Sequence, residues 1–494
     1  MEFTTPFLKC FGSLLFGKPA APELKKAFAN LSECNSLEQL RRLFGCYIPM
    51  ALLASKDSGV FSRRRIYSLE VVFWAFLDQV QTPMSSCRKA VRKVMAYARS
   101  KSPGSKSGEI SSDTSSYCTA RALLPLDLFD RIKAHLIELM CMNIPQQGLW
   151  HGRHVKLVDG TGVSMPDTPA NQECWPQSAS QKPGCGFPMM NLVGIFCLVT
   201  GALLDVATGN HHAHETLLFQ SLWHTLKKGD LLVADRGYCS FGAVANLLAR
   251  GTDALMRVPL KRIHKALGAK LPNTESFDVL VTWERPLQCL PSMTAEEFAR
   301  LPARIPVRVI RYTIAQAGFR TRSVTLVTTV LDGKIKDTEF ASLYFRRWGI
   351  ELHFREIKTF LRMDVLRCLT PHMIERELRM HFIAYNLIRC VMQQSAITHD
   401  VDLERVSFKG CMDTVREFAN AMQGSEDKPR TVKALVAEML WAIAHDLNPK
   451  RPGRSEPRAK KRRPKSYKFL TKPRRETGNL PHHNKGARKE PKSS

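Results

Sequence analysis

Four side chains near residue 350 carry functional groups that can hold metal ions and oxyanions. Arg347, Glu351 and Lys358 lie 3, 7 and 14 residues after Tyr344. At about 3.6 residues per helical turn these offsets are close to whole turns, so a guanidinium, a carboxylate, an ammonium and a phenol share one helix face. The alternative is a charged surface face with glutamate–lysine pairs, which is common on helices.

The same segment has a second, apolar stripe. Ile350, Phe354, Ile357 and Leu361 recur at spacings of three and four, the pattern of a helix that buries one side. A helix over 343–358 that packs by this stripe holds the polar face at the edge of the surface beneath it.

Two aspartate motifs are candidates for that surface. Asp159 begins Asp-Gly-Thr and Asp235 begins Asp-Arg-Gly-Tyr, and each follows an apolar run typical of a buried strand, over 154–158 and 230–234. The first strand is expected to end at Asp159. Two strand-end aspartates and Glu351 could converge on a divalent metal, because carboxylate oxygens are suitable ligands.

These residues resemble a known family. The spacing Tyr-x2-Arg-x3-Glu-x6-Lys matches the YREK signature of bacterial insertion-sequence transposases of the DDE class, and the aspartate contexts match its first two acidic positions. The resemblance covers roughly residues 150 to 365. It implies an α/β fold with a ribonuclease-H-like catalytic core and a β-rich insertion, flanked by helical N- and C-terminal regions and a disordered basic tail.

The resemblance also implies a role for each residue. Asp159, Asp235 and Glu351 would be catalytic and would hold two Mg²⁺ ions, with Mn²⁺ as an alternative. Two metals about 4 Å apart activate the attacking oxygen and neutralise the leaving oxygen of a phosphodiester. The other three signature residues would contact DNA phosphates: Tyr344, Arg347 and Lys358.

The implied partner is double-stranded DNA, both the inverted terminal repeats at the element's ends and the target. A homodimer would act on paired ends, and the freed 3′-hydroxyl would attack by transesterification. Two alternatives stay open: a metal-dependent nuclease that does not join strands, and an inactive copy that only binds DNA. Joining to a target plasmid separates a transposase from a nuclease, and the presence of all three acidic residues argues against an inactive copy.

The composition agrees with a polyanionic partner. The 494 residues carry a net charge of +28 and are 44% apolar, enough for cores in about two to four domains. A ribosomal or membrane-surface protein could be as basic, but the chain is long for the first and shows no amphipathic anchor. The 14 cysteines include no Cys-x2-Cys pair, which disfavours zinc and suits a reducing compartment.

We expect neither a signal peptide nor a membrane partner. The first residues lack a basic region, and the apolar stretch 7–16 is broken by Lys9 and Gly12. No run of about 18 apolar residues occurs. Together with the resemblance, this predicts a bacterial cytoplasmic protein associated with the nucleoid. No Walker-type motif is present, so ATP is not implied.

Changes in sequence pattern suggest the domain boundaries. We expect a helical DNA-binding region over 1–148, the catalytic domain over 149–365, a helical region over 366–446 and a disordered basic tail over 447–494. Helical periodicity marks 37–44, 68–80, 85–97, 126–142, 375–393 and 431–444. Some basic N-terminal residues are candidates for phosphate contacts, or are simply solvated: Arg63, Arg64, Arg65, Arg88, Lys89, Arg92 and Lys93.

The catalytic domain alternates strands and helices. After the first strand we expect a hairpin at 192–199 and 202–207, helices at 215–226 and 240–250, and a strand at 254–258. The insertion, at about 260–330, contains predicted strands at 277–283, 307–314 and 323–331. Its Trp283 could stack on a base, but a tryptophan in a strand is more often a core residue.

Two further segments have competing interpretations. The tail from residue 447 holds seventeen lysine and arginine residues and three glutamates, so it carries +14 of the total charge. We interpret it as a nonspecific DNA arm, with a solubilising extension as the alternative. His211, His212 and His214 could form a metal cluster, but a polar loop before the helix at 215 is favoured.

Overall fold

The computed structural model describes residues 47–449, apart from internal gaps, together with residues 470, 472, 473 and 476. The gaps fall at 55–58, 63–65, 83–84, 102–109, 143, 145, 268–270, 273, 290–292, 315–321 and 423–428. The predicted helix at 37–44, the basic group at 63–65 and most of the basic tail therefore lie outside the described residues.

In the N-terminal region the helices predicted at 68–80, 85–97 and 126–142 are confirmed, and a further helix at 115–122 was not predicted. The main helices of this region are α1 (Leu69–Gln81), α2 (Cys87–Lys101), α3 (Ser115–Ala122) and α4 (Leu126–Met142). Helix α1 begins after Ser68, whose hydroxyl oxygen accepts a hydrogen bond from the Val71 N–H, as an N-cap residue does. It is apolar on most sides and is buried almost throughout, so it forms the centre of this region.

The basic residues of α2 do not all reach the surface. Arg88, Lys89 and Arg92 are exposed, but Lys93 is buried and forms an ion pair with the fully buried Asp78 of α1. The prediction that Lys93 contacts phosphate is therefore wrong. Apolar positions on both sides of Lys93 bury this face of α2, and Asp78 compensates the buried charge.

One eight-stranded sheet forms the centre of the chain. Its strand order is β3-β2-β1-β4-β5-β8-β7-β6. The strands are β1 (His154–Ser164), β2 (Met189–Cys197), β3 (Leu203–Asn210), β4 (Asp230–Ala234), β5 (Asp253–Arg257), β6 (Phe277–Glu284), β7 (Arg304–Ile314) and β8 (Arg322–Thr328). The first five strands form the ribonuclease-H-like core that the sequence predicts.

Pairing within the sheet explains both the core and the insertion. Strands β1, β4 and β5 are parallel to one another, and the β2–β3 hairpin adds to β1 in antiparallel fashion. Strands β6, β7 and β8 confirm the strand-rich insertion. They continue the same sheet because β8 pairs antiparallel with β5.

Short helices connect the strands. They are α5 (Pro169–Cys174), α6 (Glu215–Ser221), α7 (Phe241–Ala249), α8 (Leu260–Leu267) and α9 (Ala295–Ala299). The helix predicted at 215–226 is shorter than expected, because α6 ends at Ser221 and a separate 3₁₀ turn follows at Trp223–Thr225.

Strand β1 is longer than the sequence indicates. We expected it to end at Asp159, but it continues to Ser164 along its other neighbour, β2. Only the parallel ladder ends near Asp159, since its last pair joins Val158 to Ala234 of β4. Asp159 therefore lies within a strand that has lost one of its two neighbours.

The segment that carries the four signature residues, called the signature segment below, forms three helical pieces over 337–360 and not one helix. They are α10 (Asp337–Arg346), α11 (Gly349–Arg355) and a π-helical turn (Glu356–Phe360). Tight turns interrupt the helix at Arg347 and Trp348, directly before Gly349, a weak helix former. The apolar stripe is buried as predicted, because Ile350, Phe354, Ile357 and Leu361 all lie in the core.

In the described residues after the signature segment, the α-helices are α12 (Pro371–Thr398), α13 (Phe408–Met422) and α14 (Pro429–His445). Helix α12 joins the regions, because it packs against α1 and α4 and also holds the β2–β3 hairpin. The Asn386 side-chain amide bonds both the N–H and the carbonyl of Leu203, and Arg389 donates to the Thr200 carbonyl. In the described part of the chain, no helix is long and apolar enough to cross a membrane.

The buried ion pair predicts a difference in stability between neighbouring residues of α2. Lys93→Met should lower the free energy of unfolding by about 3–5 kcal/mol, because Asp78 would stay buried without a cation. Arg92→Met, at an exposed position, should change it by about 0.5 kcal/mol or less. Urea unfolding of both variants measures the difference, and equal midpoints would contradict the structural role of Lys93.

Candidate active site

The sheet brings the two predicted aspartates to one edge. Asp159 lies in β1 directly after the last residue paired with β4, and Asp235 directly follows β4. Because the two strands are parallel, their carboxyl ends lie side by side, and so do the two side chains. Asp159 Oδ1 accepts a hydrogen bond from the Gly160 N–H at 2.8 Å, which orients the carboxylate.

The signature segment contacts both aspartates. The Tyr344 hydroxyl donates to Asp235 Oδ1 at 3.1 Å. Arg347 lies between two carboxylates, with its Nη1 3.4 Å from Asp159 Oδ2 and its Nη2 3.8 Å from Glu351 Oε1. Arg347 and Tyr344 are buried, whereas the Glu351 side chain is half exposed. Five of the six predicted site residues therefore form one connected group.

Lys358, the sixth predicted residue, lies farther along β1. Its Nζ donates to Thr161 Oγ1 at 3.0 Å and to the Gly162 carbonyl at 2.7 Å. Burial lowers the pKa of this ammonium group. Lys358 lies within the π-helical turn, so it does not simply continue the face of α11 but meets the part of β1 beyond Asp159.

The electrostatic environment disfavours a negative charge on Asp159. Burial raises the pKa of this carboxyl group, and the nearby carboxylates of Glu215 and Asp235 raise it further. The Gly160 N–H and Arg347 oppose these effects without cancelling them. A site that gathers carboxylates in this way gains most from an added cation.

Glu215 also lies beside the predicted aspartates, a placement that sequence reasoning missed. We predicted it only as the start of a helix, yet its carboxylate lies against Gly160 and accepts a hydrogen bond from the Tyr238 hydroxyl at 3.3 Å. Tyr238 is the last residue of the Asp-Arg-Gly-Tyr motif, so this tyrosine is the sequence feature that could have pointed to a further polar residue near Asp235. Of the neighbouring histidines, His211 contacts the Pro176 carbonyl through Nδ1, and its ring lies against that of His212.

Among the described residues, the exposed aromatic rings beside the carboxylates lie on the signature segment. Trp283 is buried edge-on against Phe241, so the interpretation as a core residue is confirmed. Phe345, Trp348 and Leu352 are exposed, and Arg347 lies 5.5 Å from the Trp348 ring centre. This exposed face adjoins the carboxylate group.

The donor set suits a hard divalent cation, because Asp159, Asp235 and Glu351 offer carboxylate oxygens. As placed, no three histidine, cysteine, aspartate or glutamate side chains among the described residues are arranged to hold an ion. Instead, one oxygen of Asp235 accepts a hydrogen bond from Tyr344, and one oxygen of Asp159 is paired with Arg347. The Nε atom of Arg347 is buried and lacks a hydrogen-bond partner.

The class of this protein is defined by a ribonuclease-H-like sheet with one aspartate in β1 and one after β4, where the pairing of these strands ends, and a glutamate on a nearby helix. Residues 150–387 match the family described as "Transposase DDE domain". This part of the chain is a transposase DDE domain, and together with the relatives described next it supports an insertion-sequence DDE transposase. In the described residues, the match spans the sheet, the signature segment and part of α12.

Curated relatives agree with this assignment. Transposase InsG for insertion sequence element IS4 of Escherichia coli is 24% identical over 458 residues, covering 90% of this chain and 97% of the relative. Putative transposase y4zB of Sinorhizobium fredii is 27% identical over 205 residues, covering 40% of this chain and 51% of the relative. Putative transposase InsZ of Escherichia coli is 26% identical over 26% of this chain and 43% of the relative.

The raised pKa of Asp159 predicts how stability depends on pH. Without metal, Asp159→Asn should have a higher melting temperature than wild type at pH 7, because the folded state disfavours the ionised carboxylate. A group with a raised pKa contributes stability below its unfolded pKa and loses it as the pH rises through the folded value. The advantage of the variant should therefore shrink as the pH falls towards 3.8, the ordinary aspartate pKa.

Thermal melts of both proteins between pH 3.5 and about 7.5 in EDTA measure this effect. A lower melting temperature of Asp159→Asn at pH 7 would show that the Arg347 contact outweighs burial.

Proposed function

We propose that this chain catalyses cut-and-paste transposition. It binds the terminal inverted repeats of its element, cleaves the flanking DNA and joins the freed 3′ ends to a target. The observation that carries the proposal is the contact of Tyr344 and Arg347 with the two strand-end aspartates. Two residues of the signature therefore contact the two aspartates, although more than a hundred positions separate them in the sequence.

In this proposal the acidic residues hold Mg²⁺ or Mn²⁺. Asp159, Asp235 and Glu351 supply the carboxylates, and two ions per site are expected from the family resemblance. Bound metal supplies an activated oxygen nucleophile and charge neutralisation at the leaving oxygen. The raised pKa of Asp159 supports this role, because it reflects uncompensated acidic surroundings that a divalent cation relieves.

The basic and hydroxyl groups would position phosphates. Arg347 is buried beside Asp159, and its Nε atom has no partner among the described residues. An unpaired buried donor is costly, so a phosphate oxygen at this atom would satisfy it. The Tyr344 hydroxyl can donate to a phosphate in the same way, and Lys358 supplies a point charge farther along β1.

The surface of the signature segment suits DNA beyond the phosphates. Phe345 and Trp348 present exposed rings beside Arg347. Aromatic rings at such positions stack on bases that leave the duplex, at a gain of about 1–3 kcal/mol each. We therefore assign base contacts near the cleaved bond to these rings.

The remaining DNA contacts fall outside the catalytic sheet. We propose that the helical region over 1–148 binds the terminal repeats, with Arg88, Lys89 and Arg92 as exposed candidates. The tail over 447–494 would add nonspecific affinity through its +14 charge. A homodimer on paired ends and a bacterial nucleoid location are inherited from the same family expectation.

The catalytic assignment predicts separate effects on cleavage and binding. Asp159→Asn, Asp235→Asn and Glu351→Gln should each abolish Mg²⁺-dependent cleavage of element ends, because each removes a charge that holds metal and keeps the side-chain shape. End binding by gel shift should persist. Glu296→Gln, in the exposed first turn of α9, is the matched control and should cleave normally.

A variant of the three that retains near-normal cleavage would remove that residue from the site. Joining of a pre-cut end to a target plasmid separates a transposase from a nuclease. Wild-type protein that cleaves but never joins would favour the nuclease.

Lys358 allows a test of phosphate positioning. Lys358→Met keeps the aliphatic stem and removes the ammonium group, so cleavage and joining should fall by about 100-fold through loss of alignment. Mn²⁺ affinity should stay at the wild-type level, because Lys358 contacts Thr161 and Gly162 and no predicted metal ligand. Lys334→Met, at an exposed position before α10, is the control.

Rates of cleavage and of pre-cut joining, with thermal melts of each variant, give the answer. Wild-type rates in a folded Lys358→Met protein would mean that Lys358 only ties the π-helical turn to β1.

A further inference from the structure

A fourth carboxylate reaches the site from α6. Glu215 is the first residue of that helix, shortly after β3. A methyl group built on Gly160 would lie 2.6 Å from Glu215 Oε1 and 3.1 Å from Oε2. The carboxylate therefore occupies the space beside the residue that follows Asp159, and a side chain at position 160 would displace it.

The second aspartate motif holds this carboxylate in place. The Tyr238 hydroxyl donates to Glu215 Oε2 at 3.3 Å, and Tyr238 itself is buried. The Tyr238 N–H donates to the Asp235 carbonyl at 3.1 Å, so the same tight turn carries both Asp235 and the tyrosine. Both aspartate motifs thus contact Glu215, one through Gly160 and one through Tyr238.

The charges around Glu215 are not balanced by a side-chain cation. Among the described residues, no lysine or arginine forms an ion pair with Glu215, while Arg347 pairs with Asp159 and Glu351. Arg347 also contributes a buried Nε without a partner. That donor can satisfy only an acceptor such as a phosphate oxygen, whereas the exposed Glu215 carboxylate is open to a cation from solvent. The helix dipole also stabilises a glutamate in the first turn, but this effect does not require the contacts with Gly160 and Tyr238.

Resting on the proposed function, we propose that Glu215 is a further metal-binding residue, which holds the divalent cation together with Asp159. Hard cations such as Mg²⁺ and Mn²⁺ take oxygen ligands, and carboxylates from separate elements provide them. The Tyr238 hydroxyl orients the Glu215 carboxylate as an outer-shell partner does.

Mn²⁺ binding to the full chain tests the proposal without an activity measurement. Free Mn²⁺ is followed by electron paramagnetic resonance for wild type, Glu215→Gln, Asp159→Asn and the control Glu296→Gln. Asp159→Asn and Glu215→Gln should each raise the Mn²⁺ Kd about 10- to 100-fold. Glu296→Gln should bind as wild type does.

Two charge-conserving variants separate ligation from a general charge effect. Gly160→Ala places a methyl group against the Glu215 carboxylate, and Tyr238→Phe removes its hydrogen bond. Both should weaken Mn²⁺ binding, by less than Glu215→Gln does, in protein whose thermal melt shows it to be folded. They also test the proposal if Glu215→Gln fails to fold.

The outcomes are distinct. Wild-type Mn²⁺ affinity in Glu215→Gln, with binding lost in Asp159→Asn, would overturn the role of Glu215 and leave the proposed function intact. Wild-type affinity in both Gly160→Ala and Tyr238→Phe would show that Glu215 acts only through its charge, and would also overturn it. A wild-type chain that binds no Mn²⁺ would contradict the proposed function together with this inference.

Discussion

The parallel pairing of β1 with β4 is the constraint on which the candidate site depends. The ladder joins Val158 to Ala234 at its last step, and an aspartate follows at each position. Two carboxylates are thereby held at one sheet edge, where they raise each other's free energy when ionised. Burial is the main cause of the raised pKa of Asp159, and the carboxylates of Glu215 and Asp235 add to it. The stability that offsets this electrostatic cost comes from the apolar strands, because the central residues of β1 and β4 are completely buried.

The rest of the fold brings further groups to that edge. The apolar stripe of the signature segment packs in the core, so Arg347 is drawn between Asp159 and Glu351. Helix α12 in turn fixes the β2–β3 hairpin through Asn386, and β2 supports the part of β1 that continues past Asp159. Long-range packing and a few buried hydrogen bonds therefore position polar groups that would otherwise repel one another.

Much of the fold could be predicted because the signals are local. The buried strands show as apolar runs, and the insertion strands, the hairpin turn at Gly201 and the stripe ending at Leu361 follow from periodicity and turn chemistry. The order of these elements predicts the ribonuclease-H-like sheet. The identity and spacing of Tyr344, Arg347 and Glu351 likewise identify the family, since side-chain type and spacing are properties of the sequence alone.

Only the tertiary structure decided which neighbours those elements have. Lys93 has the sequence context of its exposed neighbours, yet the packing of α2 on α1 places it against Asp78. The extension of β1 past Asp159 depends on its pairing with β2. Glu215 meets Gly160 because β3 returns along β2 and carries α6 to the sheet edge. The free energy of each contact depends on two distant segments, so no pattern within one segment can reveal it.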